Sequence, residues 1–129
     1  MIEIDGVKVG QEHSPYVIAE LSANHGGSID VAKESMRLAK ESGASAVKIQ
    51  SYTPDTMTIE SKKTDFLITE GLWKGYTLYD LYKEAYTPFE WHEELFRHAK
   101  DIGIRTEENK GGSEHSLKAN NLKPKLRSI

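Results

Sequence analysis

Residues 16–28, "YVIAELSANHGGS", and residues 44–57, "ASAVKIQSYTPDTM", decide the fold. Each opens on a short apolar run and stops on polar chemistry: Glu20 in the first, Lys48 and Gln50 in the second. Residues 16–21 carry too few polar positions for a half-exposed strand and read as one buried on both faces. Gly26 and Gly27 break the chain. Ser28 can then cap a helix with its hydroxyl, and Ala32, Met36 and Ala39 share one face of that helix. Gly43 stands where a left-handed C-terminal cap belongs, and residues 45–50 follow as the second strand. Strand, helix and strand in this order make a βαβ unit on a parallel sheet. Barrels built from such units place their chemistry at the carboxyl ends of the strands, where Glu20, Lys48 and Gln50 lie.

The flanking segments extend this pattern. Residues 2–9, "IEIDGVKV", alternate around Asp5-Gly6, which predicts a β-hairpin ahead of the main fold. Residues 51–76 form a long connection with Pro54, Gly71 and Gly75. Its aromatic residues (Tyr52, Phe66, Trp73, Tyr76) argue for order and use rather than disorder. A short helix is expected over residues 78–86. Thr87-Pro88-Phe89-Glu90 then reads as a helix start, with Thr87 as cap, Pro88 in the first turn and Glu90 closing a capping box. Trp91, Leu95, Ala99 and Ile102 make the apolar stripe of that helix, and Gly103 ends it. A third strand is due after "DIGI", but residues 105–129 hold five hydrophobic residues in twenty-five and no aromatic. That composition predicts an aberrant or disordered tail with a boundary near Ile104, and no third strand.

Composition narrows the function classes. The chain has 129 residues, 37% hydrophobic and 29% charged, with net charge −3. No basic footprint points to nucleic acid. No apolar run reaches the ~20 residues of a membrane span, and no secretory signal opens the chain. A soluble cytoplasmic protein is the default. The absence of cysteine removes disulfides, thiolate catalysis and zinc–sulfur sites. A closed eight-stranded barrel needs roughly 250 residues. The expected fold is therefore α/β: the N-terminal part of a TIM (β/α)8 barrel, truncated, preceded by a β-hairpin. Residues 1–104 would be the partial barrel domain and residues 105–129 the tail.

Glu20, at the tip of an apolar strand, is either a general acid/base or an anchor for a neighbouring loop. Lys48 in a buried strand requires a partner: a substrate phosphate or carboxylate, or an ion pair with Glu20. Gln50 shares its face by two-residue alternation and either orients a polar substrate or satisfies backbone groups. Asn24-His25-Gly26-Gly27 lies before a helix N-terminus, where backbone N–H groups can meet anions. His25 there reads as a hydrogen-bonded loop histidine ahead of a site residue. His92 and His98 are six residues apart on one helix, about 240° around it, and cannot form an i, i+4 metal pair. No metal site assembles from the sequence. Tyr79, Tyr82 and Tyr86 read as packing residues. Trp73, in the Gly-flanked loop "GLWKG", has the better claim to a ligand.

Together with "GLWKGYTLYDLYKEAYTPFEWH" (residues 71–92), the two opening stretches resemble the N-terminal portion of the sialic acid synthase family, and its pseudaminic acid synthase branch more than N-acetylneuraminate synthase. The resemblance covers about residues 1–104. It implies a barrel enzyme of carbohydrate biosynthesis that condenses phosphoenolpyruvate with an N-acylated amino sugar to a nine-carbon 2-keto acid. It further implies a divalent metal (Mn or Mg), a homodimer and a small C-terminal antifreeze-like domain. By resemblance Glu20 lies at the reacting centre, Lys48 contacts phosphoenolpyruvate, Gln50 belongs to the same wall, and Asn24 and Trp73 are sugar-side candidates. The family's Ser/Thr-Pro-Phe strand end is replaced here by "IRTEENKGG", and its metal-binding histidines have no counterpart. The expectation is a truncated synthase, inactive alone. The alternative is a non-catalytic binding module presenting the aromatics of residues 51–86.

Overall fold

A computed structural model of the chain describes residues 1–110. Two antiparallel strands open it, β1 (Ile2–Ile4) and β2 (Val7–Val9), paired Ile2 to Val9 and Ile4 to Val7. Asp5 and Gly6 join them with φ of 44° and 80°, the left-handed pair that a tight two-residue hairpin turn requires.

The main sheet has three parallel strands in the order β3 (Ile18–Ser22), β4 (Ala46–Ser51), β5 (Arg105–Lys110). α1 (Ile29–Glu41) connects β3 to β4. Ser28 caps it by accepting from the Val31 amide, and Gly43 follows its end at φ 92°. α4 (Phe89–Ile102) leads into β5 and stops at Gly103, φ 74°. Strand alternation splits β4 into two faces. Val47, Ile49 and Ser51 are buried under the helices, while Lys48 and Gln50, only partly buried, point to the other side. The core between sheet and helices gathers Leu21, Ala32, Met36, Val47, Ile49, Leu95, Ala99 and Ile104. Met36, Ile49 and Leu95 are wholly removed from solvent. An ion pair between Lys33 and Glu94 links the two long helices.

The long connection carries order of its own. α2 (Pro54–Met57) and a single 3-10 turn (Thr64–Phe66) precede α3 (Leu78–Ala85). The Thr77 hydroxyl caps α3 by accepting from the Asp80 amide. Tyr52 and Tyr82 pack edge to face, with ring centroids 5.7 Å apart, so Tyr82 is a packing residue.

Two expectations are corrected. A third strand does follow "DIGI": β5 pairs with β4 from Ala46–Arg105 to Ser51–Lys110. "RTEENK" has little intrinsic strand character, but an open parallel edge offers it a full backbone ladder, and context of this kind overrides propensity. Thr106 is buried, and Arg105 donates to the Asp5 carboxylate at 2.8 Å and to the Asp5 carbonyl at 3.0 Å, which fastens the hairpin to the strand. The rest of the expected tail, residues 111–129, lies outside the described residues. The second correction is at α4. Its N-cap is Pro88, and no side chain caps it, because the Thr87 hydroxyl is committed to His25.

Candidate active site

The carboxyl ends of β3 and β4 build the site. Glu20 and Lys48 stand directly opposite one another in the parallel register. Lys48 Nζ donates to Glu20 Oε1 at 3.2 Å. Apolar neighbours in sequence (Ala19, Leu21, Val47, Ile49) put the strands under the helices. Two-residue alternation then turns Glu20 and Lys48 away from that core, toward the open face. The lysine is neither stranded nor buried alone. Its side chain keeps 30% of its exposure and Glu20 keeps 55%. The ammonium and the Ser22 hydroxyl, which donates to the same Oε1 at 3.0 Å, hold the Glu20 carboxyl below the usual carboxylate range.

Ser22 is a residue that sequence reasoning missed. It sits at φ 49°, and the β3–β4 register slips between Glu20 and Ser22. The slip is a bulge-like irregularity, and departures of this kind re-aim side chains at strand ends.

Behind the open face, two hydroxyl–imidazole bonds tie the loops together. The Gly27 amide donates to His25 Nδ1 at 3.1 Å, so the neutral ring carries its proton on Nε2 and donates to Thr87 Oγ1 at 3.1 Å. His25 is 1% exposed and lies edge-on to Trp91, and burial pushes its pKa down. His92 shows the other tautomer. Its Nδ1 faces the carbonyls of Pro88 and Phe89, which only accept, so Nε2 accepts a hydrogen bond from the Ser51 hydroxyl at 2.5 Å. His98 reaches the Lys33 carbonyl at 3.2 Å. The expected loop role of His25 matches this placement. Among the described residues no group of three His, Cys, Asp or Glu side chains could hold a metal ion. No helix among them is long and apolar enough to cross a membrane.

Of the residues singled out from sequence, the structure brings Glu20 and Lys48 into contact and sets Gln50 two residues on, on Lys48's face. Asn24 lies in the loop after β3, its backbone N–H donating to the Leu21 carbonyl at 2.9 Å. Trp73 lies between Gly71 and Gly75, both left-handed, and meets Tyr76 edge to face at 5.3 Å. Among the described residues no hydrogen bond or ring contact joins Trp73 to Glu20 or Lys48. The Tyr79 hydroxyl donates to Asp55 at 3.1 Å, which links α3 to α2.

Residues 35–107 match the model of the NeuB family. The chain is 53% identical over 89 residues to the pseudaminic acid synthase of Campylobacter jejuni, covering 69% of this chain and 26% of that protein. It is 52% identical over 92 residues to the pseudaminic acid synthase of Helicobacter pylori, covering 70% of this chain and 27% of that protein. The chain thus spans about a quarter of the length of these relatives. Its fold superposes on the crystal structure of the Bacillus subtilis spore coat polysaccharide biosynthesis protein SpsE with a TM-score of 0.63 and 25% identity, over 94% of this chain and 30% of that one.

Proposed function

The chain belongs to the NeuB family, and from that premise we propose that residues 1–110 form the first β/α units of a TIM-barrel synthase. That synthase condenses phosphoenolpyruvate with an N-acylated amino sugar aldehyde to give a nine-carbon 2-keto acid of the pseudaminic or sialic type. The observation that carries this reading is the Glu20–Lys48 pair at the tips of adjacent parallel strands. In that condensation the methylene carbon of phosphoenolpyruvate bonds to the aldehyde carbon, water supplies the new ketone oxygen, and phosphate departs. The aldehyde oxygen takes up a proton. Phosphoenolpyruvate brings a phosphate and a carboxylate, and Lys48 offers a fixed positive charge to them. An ionised Glu20 can accept a proton from water or hold the pair in place for the incoming anion. Gln50 extends the polar wall, and Asn24 and Trp73 serve the sugar side.

The family's reaction is assisted by a divalent metal, Mn or Mg. The described residues do not fit such an ion, and every step assigned here uses the chain's own side chains. With Glu20 55% exposed, the described face does not enclose the reacting groups. Binding of phosphoenolpyruvate, without turnover, is therefore assigned to these residues by themselves.

The test is a titration of the chain with phosphoenolpyruvate, followed by amide and lysine Nζ NMR shifts. Shifts centred on Lys48, and affinity about 10- to 100-fold weaker in Lys48→Ala, correspond to a charge-assisted hydrogen bond of roughly 1.5–3 kcal/mol. Equal affinity in Lys48→Ala refutes the assignment. Phosphate release by the chain alone, given sugar aldehyde and manganese, refutes the absence of turnover.

A further inference from the structure

We propose that Ser22 is the positioning residue of Glu20: its hydroxyl fixes carboxylate oxygen Oε1 and leaves Oε2 as the oxygen presented to substrate. This rests on the reading of Glu20 as the reacting-centre carboxylate.

Strand geometry alone does not fix this contact. Residues i and i+2 on a regular strand share a face about 6.6 Å apart, which leaves a serine hydroxyl and a glutamate carboxylate side by side with no set geometry between them. Here the register runs Glu20 to Lys48 and then Ser22 to Ile49, with Leu21 unmatched. The extra residue and the left-handed Ser22 backbone, φ 49°, fold the chain end back, and Oγ comes to 3.0 Å from Glu20 Oε1. Glycine adopts this conformation freely and serine does not. In this conformation the Ser22 hydroxyl donates to Glu20. Lys48 Nζ meets the same oxygen at 3.2 Å. Among the described residues, both hydrogen bonds to the Glu20 carboxylate end on Oε1, and Oε2 receives none. One oxygen is held from two directions, by Ser22 and by Lys48, while its twin accepts no hydrogen bond among the described residues. A carboxylate with one anchored oxygen has a single orientation in which to accept or return a proton.

Among the described residues, the groups bonded to Glu20 are Lys48, across the β3–β4 pair, and Ser22, beyond the register slip. The backbone of Glu107 on β5 is in register with Lys48 on the far side of β4. The ammonium and, after it, the hydroxyl favour the ionised carboxylate and hold its pKa down.

The experiment follows the Glu20 carboxyl carbon by NMR during an acid titration of the full chain, in wild type, Ser22→Gly and Ser22→Asn. Ser22→Gly keeps the left-handed backbone and removes the donor, so the Glu20 midpoint rises toward the ordinary carboxylate value. Ser22→Asn tolerates the same backbone and restores an N–H donor, so the midpoint falls again. Thermal melting of Ser22→Gly should match or exceed wild type, because the strain is relieved. An unchanged midpoint in Ser22→Gly overturns the proposal. So does a large loss of melting temperature in that variant, which would make Ser22 structural. A phosphoenolpyruvate titration of wild type separates the two readings: no Lys48-dependent response refutes the synthase role and leaves the Ser22 result standing on its own.

Discussion

Replacing Thr87 by Val tests whether the loop after β3 is held by one buried bond. Thr87 and His25 are each 1% exposed and 62 residues apart in sequence, joined at 3.1 Å. Valine keeps the branched shape and deletes only the hydroxyl. The imidazole cannot easily exchange tautomers to escape, because Nδ1 already accepts from Gly27. The Nε2 proton is left buried without an acceptor, which costs about 1–3 kcal/mol. With a urea slope near ~2 kcal/mol/M, the middle of that range moves the unfolding midpoint down by about 1 M. Thr87→Ser keeps the hydroxyl and loses one methyl, roughly 0.8 kcal/mol. A double-mutant cycle with His25→Leu should return a coupling of about 0.5–1.5 kcal/mol. The pH dependence carries an independent sign. Burial lowers the His25 pKa below its ordinary 6.5 in the folded chain. The unfolded chain then binds the proton first as pH falls. The stability that His25 contributes is complete above about 6.5 and is lost as pH drops through the folded value. His25→Leu removes that slope. Urea melts of the four variants at several pH values settle it. A Thr87→Val midpoint indistinguishable from wild type, or a zero coupling term, refutes the inference that this bond anchors the loop.

Two further predictions concern the framework. Met36 is fully buried against the sheet, so Met36→Ala should lose about 2–5 kcal/mol in a denaturant melt, and a loss under 1 would mean that the α1 face is not packed as described. Gly103 ends α4 at φ 74°, and a Cβ there meets only the flexible tip of Lys40, at 3.2 Å, so Gly103→Ala should cost roughly 1–2 kcal/mol from backbone strain alone, with Gly103→Asn costing less.

How much of this was legible in the sequence depends on whether the decisive interaction was local. The α1 stripe of Ala32 and Met36, the end of α4 at Gly103 and the two strands before and after α1 were readable because period and punctuation act within a few residues. β5 was not, because its cause is distant. Twenty-five residues of polar composition diluted a six-residue strand whose stability comes from the β4 edge and the Asp5–Arg105 link. Thr87 failed for the same reason in reverse. "TPFE" fits a capping box, but a hydroxyl can serve only so many partners, and a buried histidine from another loop outcompeted the helix end for it.

The site divides along the same line. Charged side chains at the tips of apolar strands are conspicuous, so Glu20 and Lys48 could be paired before any coordinates, given parallel neighbours in matching register. Register alone, however, would leave the carboxylate free to turn about its terminal bond. What fixes it is a backbone dihedral, and serine gives no sequence sign of a left-handed conformation, unlike glycine or asparagine. Nothing in the sequence therefore singles out Ser22. The register slip lies just before the Asn24-His25-Gly26-Gly27 loop, whose His25 bonds Thr87. The prediction is that the aim of Glu20 and the anchoring of His25 are coupled through this one departure from strand geometry. A change that straightens β3 at residues 20–22 should disturb both at once, while Thr87→Val should loosen the loop and leave the Glu20–Lys48 contact in place. Those two patterns of NMR shift, joint in one case and separate in the other, distinguish a rigid bulge from a strand end that merely frays.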